Sequence, residues 1–112
     1  MNWEVEENPA YVVLKPLEGR LDSALAPKFR ADVAELTEKA QKTLVLDLDN
    51  VEFMDSSGLG AVVGCYKLMQ SIGGMHVCNV GPQVKDIFRL THMDRIFEVN
   101  DSFDDCVEKL AA

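Results

Sequence analysis

The chain is poor in the residues that assign a chemistry most quickly. Its 112 residues include two histidines, one tryptophan and three cysteines. Cys65, Cys78 and Cys106 are odd in number and show no CxxC spacing. That pattern argues against a disulfide framework or a zinc site, and reduced thiols are expected. No apolar run approaches the roughly 18 residues needed to span a bilayer, so no membrane insertion is expected. The opening MNWEVEENPA has neither the basic nor the long apolar region of a signal peptide, and a cytoplasmic location is expected. Cations are scarce as well: 11 Lys and Arg stand against 19 Asp and Glu, a net charge of −8. Nucleic acid and anionic membrane both require a basic footprint, so neither is expected as a partner. A protein with a basic patch would instead be steered toward this chain.

What is present reads as one globular domain over residues 1–112. Hydrophobic residues make up 47% and charged residues 27%, a balance that folds rather than staying disordered. WEVEE and YVVLKPL, separated by the turn signal NPA, predict a hairpin. EGRLDSALA reads as a loop, and Pro27 opens a helix with Leu25, Phe29, Val33, Leu36 and Ala40 on one stripe. TLVLDLDNV predicts a central strand, SSGLGAVVGCYKLMQS a helix stopped by Gly73 and Gly74, and MHVCNV another strand. A third helix places Val84, Ile87, Phe88 and Thr91 on one face. RIFEV predicts a fifth strand, followed by a last helix with Asp101 as N-cap and Phe103, Cys106, Val107 and Leu110 buried. The order β-β-α-β-α-β-α-β-α implies an α/β fold: a mixed, mostly parallel five-stranded sheet with about four helices. Loops leaving parallel strands share the carboxyl edge of the sheet, which brings Asp22 near Ser56 and marks that edge as the place to look for function.

The stretch MDSSGLGAVVG, residues 54 to 64, offers a hydroxyl among glycines at that edge. A hydrolase elbow needs Gly two residues before and after the serine, but Met54 precedes Ser56. A triad base is lacking too, because His76 falls in a strand and His92 after the third helix. GLGAVV has Val63 where a dinucleotide fingerprint needs its third glycine, and no GxxxxGK occurs. A receiver-type phosphoacceptor aspartate needs an acidic pair and a lysine that are missing, and Asp47 with Asp49 does not suffice for a metal. Catalysis, a cofactor and a metal are therefore not expected.

Modification of the serine fits better. A phosphate at a helix N-terminus meets free N–H groups and the positive end of the dipole. Asp55 opposes it, and the loop itself supplies no cation, so the group would act mainly on what a partner meets. Gly60 and Gly64 lie one turn apart and permit close approach, either by a partner or by a neighbouring element. Gly58 is assigned to the turn. The alternative reading of Asp55 and Ser56 is plain helix capping.

LVLDLDNVEFMDSSGLGAVVGCYK closely resembles the signature of STAS domains, GRLDSA their second-strand loop, and the stretch from IGGMHVCNVGPQ to DDCVEKL their C-terminal half. The chain is most similar to the stand-alone bacterial anti-sigma-factor antagonists. The resemblance implies a protein that binds an anti-sigma factor, itself a serine/threonine kinase, and so frees the sigma factor. Phosphorylation then releases the antagonist, and a serine phosphatase resets it. The implied acceptor is Ser56, with Ser57 the alternative, its hydroxyl expected to turn inward as a cap. The implied partner surface comprises Arg20, Asp22, Ser23, Asp55, Ser56, Ser57, Gly58, Leu59 and Gly60. Arg20 stands where the family usually has an acid, and is a candidate counter-charge for a phosphate on Ser56. Other STAS domains serve transporters or stress-signalling assemblies. The alternative is thus a docking subunit of an ABC-type lipid, anion or stress complex that works without phosphorylation.

Overall fold

The computed structural model describes residues 2–111; Met1 and Ala112, the ends of the expected domain, lie outside the described residues. In chain order the elements are β1 (Trp3–Glu7), β2 (Tyr11–Pro16), β3 (Arg20–Leu21), α1 (Ala26–Ala40), β4 (Thr43–Asp47) and β5 (Phe53–Met54). Then come α2 (Ser56–Met69), β6 (Met75–Cys78), α3 (Pro82–Leu90), β7 (Glu98–Asn100) and α4 (Phe103–Ala111). The main sheet has five strands in the order β1-β2-β4-β6-β7, with β1 antiparallel and the rest parallel. Every parallel crossover steps in the same direction. Right-handed connections then deliver α1, α2 and α3 to one face.

Strand alternation sorts the core accordingly. Val12, Leu14, Leu44, Leu46, Met75 and Val77 point toward α1–α3 and meet Phe29, Val33, Val62, Met69, Val84 and Phe88, all buried. Val13, Val45 and Cys78 point the other way and meet Cys106 of α4, with Tyr11, Phe103 and Leu110 at the margin. Trp3 joins the larger core edge-on to Phe29, ring centres 5.7 Å apart, while its indole N–H donates to Asp32 Oδ2 at 3.1 Å. The hairpin thereby locks onto α1. Among the described residues no helix is long and apolar enough to cross a membrane.

Three local expectations are corrected. The fifth strand lies at Glu98–Asn100 rather than over RIFEV. Met93–Arg95 form a 3₁₀ turn entered through His92 at φ 61°, and both Ile96 and Phe97 donate backbone N–H groups to the Met93 carbonyl. Phe97 is buried by edge-on contacts to Tyr66 and Phe88, each at 5.4 Å, instead of by strand pairing. The cap of α4 comes from Ser102, whose Oγ accepts the Asp105 N–H at 3.1 Å. Asp101 lies one residue too early and pairs with Lys85 at 3.4 Å. On α1 the fourth buried position is Thr37, satisfied by donating its hydroxyl to the Val33 carbonyl at 2.8 Å; Leu36 and Ala40 sit at the core margin.

Candidate functional site

Two very short strands build the site. β3 pairs in parallel with β5, Arg20 opposite Phe53 and Leu21 opposite Met54. This second sheet ties the loop after β2 to the loop after β4, which is where the topology predicts Asp22 and Ser56 to meet. Arg20–Leu21, expected in a loop, form a strand too short to show any alternation in the sequence. The open edge of β5 is held from the other side by a side chain. Gln83 of α3 accepts the Met54 N–H on Oε1 at 3.0 Å and donates Nε2–H to the Met54 carbonyl at 3.3 Å. Its amide does the work of a neighbouring strand. Nothing in the sequence separates Gln83 from an ordinary surface residue of a helix.

Asp55 is the hinge-pin of the arrangement. Its backbone is extended, and its Oδ1 accepts the Gly58 N–H at 2.8 Å, capping α2. Its Oδ2 accepts the Ser23 N–H at 3.3 Å, stitching the β3 loop to the start of α2. Asp22 shapes its own loop. Oδ1 accepts the Ala24 N–H at 3.1 Å, and the Asp22 carbonyl accepts the N–H groups of Leu25 and Ala26.

Because Asp55 takes the capping role, the serines are left uncommitted. Ser56 and Ser57 are both exposed, and neither hydroxyl has a hydrogen-bond partner among the described residues. The expectation that Ser57 turns inward as a cap is thus corrected: a carboxylate one residue before the helix holds that position. Leu59 is half-buried against the core, and Gly60 is exposed with open space where a Cβ would stand.

The glycines divide by role. A Cβ on Gly58 would stand 2.0 Å from the Leu21 carbonyl oxygen and 2.9 Å from its carbon. Gly58 belongs to the first turn of α2 and exists for packing: α2 rests directly on the β3 backbone. Gly64 lies beneath the Arg30 side chain, with Nε 3.5 Å from where a Cβ would be. Arg20, the expected counter-charge, is already matched. Its Nε lies 3.5 Å from Asp22 Oδ2, and its guanidinium stacks 4.2 Å above the Phe53 ring.

Other chemistries find little to work with. Burial pushes the thiols of Cys65 and Cys78 up to about 12 and that of Cys106 up to about 11, so none is a thiolate at neutral pH. All three are free and buried. Asp47 accepts the Asp49 N–H at 3.0 Å and the Asn79 side-chain amide at 3.1 Å, a turn-forming role. His76 lies on the α4 side of β6, across the sheet from α2, and its pKa is lowered, mainly by burial.

Comparison with known proteins points the same way. An anti-sigma F factor antagonist of Paenibacillus polymyxa is 38% identical over 113 residues, covering 98% of this chain and 94% of its own. The crystal structure of an anti-sigma factor antagonist from Mycobacterium paratuberculosis superposes with a TM-score of 0.87 at 25% identity, over 98% of this chain and 93% of the other. The fold is also that of the anti-sigma factor antagonist SpoIIAA in its unphosphorylated form, with a TM-score of 0.80 at 21% identity over 97% and 96% of the two chains. SpoIIAA in its phosphorylated form, from Bacillus, gives 0.72 at 22% identity over 96% and 98%. With residues 2–106 matching the family as a whole, the chain belongs to the STAS domain family.

Proposed function

We propose that the chain is an anti-sigma factor antagonist whose docking is switched at Ser56. Unphosphorylated, it binds an anti-sigma factor that is also a serine/threonine kinase, and the sigma factor is set free. The kinase transfers the terminal phosphoryl group of ATP to Ser56 Oγ, leaving ADP and a proton, and the complex separates. A serine phosphatase hydrolyses the ester and restores the antagonist. The chain catalyses no step itself and acts in the cytoplasm, where ATP is supplied.

The observation that carries this reading is the exposed Ser56 hydroxyl, without a hydrogen-bond partner among the described residues because Asp55 caps the helix in its place. A phosphate there adds about −1.5 to −2 charges. The helix dipole tolerates it, and the surrounding fold need not rearrange. Its cost therefore falls on a surface shaped to accept a small neutral alcohol. The transport-subunit alternative has weaker support, because the Paenibacillus antagonist aligns over 94% of its own length with 98% of this chain.

Intact-mass measurement after incubation with the purified host anti-sigma kinase and ATP tests the proposal. One added phosphate is expected, absent in Ser56→Ala and retained in Ser57→Ala. Ser56→Asp is expected to fold normally and bind the kinase at least about tenfold more weakly, roughly 1.4 kcal/mol. Equal binding of Ser56→Asp and wild type would overturn it.

A further inference from the structure

The chain is acidic, and its few cations are mostly neutralised. Of the 11 Lys and Arg, eight stand 3.9 Å or less from a carboxylate. Arg30, Lys67 and Arg95 have no such partner among the described residues. Two of these three lie on the α1–α2 pair beside the switch serine.

Arg30 lines a groove of about 370 Å³ between the first turns of α1 and α2, together with Ser23, Ala26, Pro27, Ser57 and Gly60. None of these residues is acidic. Gly60 leaves open space, and Gly64 lies beneath the guanidinium, whose Nε would stand at ordinary van der Waals distance, 3.5 Å, from a Cβ there. Lys67, also exposed, follows Gly60 by two helical turns and so extends the same stripe of α2. Arg30 makes no side-chain hydrogen bond among the described residues. Its planar fork of donors is therefore fully available, the geometry suited to a carboxylate held by two parallel bonds.

We infer that this groove receives a carboxylate of the anti-sigma factor, held by Arg30, and that this contact helps to select the partner. The inference rests on the antagonist reading above. The anion must come from the partner, because the form that docks carries no phosphate of its own. The same contact explains how a single phosphate dismisses the partner. Ser56 adjoins Ser57, which lines the groove, so phosphorylation places a dianion at the rim of a site built to accept a negative group. Like charges facing across an interface are repelled, and the carboxylate that aided docking then opposes it.

The test is titration of the purified host anti-sigma factor into wild type, Arg30→Glu, Arg30→Gln, Arg30→Lys, Ser56→Asp and the charge-matched control Arg95→Glu. Arg30 is exposed, so all its variants are expected to melt as wild type does. Arg30→Glu is expected to weaken binding at least tenfold, Arg30→Gln less, and Arg30→Lys least of the three, with Arg95→Glu within twofold of wild type. Reversing one acidic residue of the partner to lysine is expected to restore binding to Arg30→Glu. If Arg30→Glu and Arg30→Gln bind as wild type while Ser56→Asp binds weakly, the groove inference falls and the antagonist reading stands. If wild type itself fails to bind, or Ser56→Asp binds equally, the antagonist reading falls and takes the inference with it.

Discussion

The two faces of the main sheet are built to different standards. Toward α1–α3 lies a continuous apolar core in which Phe29, Val33, Val62, Met69 and Phe88 are essentially inaccessible. Toward α4 the buried apolar cluster among the described residues is only Val13, Val45, Cys78 and Cys106, and there the buried His76 Nδ1 and Asn100 Oδ1 have no hydrogen-bond partner among the described residues. Ser56, the proposed switch, sits on the first turn of α2, a helix of the well-packed side. A site that must present one hydroxyl in a fixed place gains from rigid support, and the thinner face is where the molecule gives up order at least expense to docking.

The sharpest way to break this contrast is a pair of truncations. Phe29→Ala, on the packed face, is expected to destabilise by about 3–5 kcal/mol in denaturant unfolding. Phe103→Ala, half-buried at the start of α4, is expected to lose less, roughly 1–2 kcal/mol, because less apolar area leaves water. Equal losses would mean that the two faces are equivalent. Next in size is Gly58→Ala. Its new Cβ meets the Leu21 carbonyl at 2.0 Å, so α2 must lift from β3, at a cost of about 3 kcal/mol in the same measurement. Gly60→Ala, with open space at its Cβ, is expected to be neutral or slightly stabilising, since alanine outranks glycine within helices. Gln83→Ala should cost about 1 kcal/mol and, more tellingly, speed hydrogen exchange of the Met54 amide.

The smallest effect concerns pH. Burial lowers the pKa of His76, while Glu98 raises it and Lys109 lowers it further. The unfolded chain then holds more protons at this site than the folded one. Stability is therefore fully present above the ordinary histidine value of about 6.5 and declines as pH falls below it toward the depressed folded value. Thermal melting of wild type against His76→Gln should diverge on acidification, with wild type losing more over that interval.

Much of this molecule was legible in its sequence, for identifiable reasons. The apolar alternation of YVVL and TLVL and the stripe through Phe29 and Val33 are signals carried by many residues at once, and they gave the main sheet and its helices. The region around Ser56 was legible as a place but not in its construction. β3 and β5 are two residues each and exist only through one another and Gln83. Asp55 was read correctly as a possible cap, yet its second bond to Ser23 joins residues 32 apart, a separation no local pattern encodes. Gly58 was assigned to turn geometry because the carbonyl it accommodates comes from Leu21, far back in the chain. Arg30 escaped notice for the same reason: its meaning depends on the helix opposite.

The side-by-side order of β1, β2, β4, β6 and β7 also bears on how the protein is made. Each strand leaving the ribosome finds its template already waiting at the outer edge of those before it, and none has to wedge between two earlier ones. Assembly can therefore run from the N-terminus forward, with α4 laid down last over the back of the sheet. A nascent chain halted after β6 would already contain the Ser56 loop, Asp55 and the β3–β5 clasp; of the hydrogen bonds that build the site, it would lack those from Gln83.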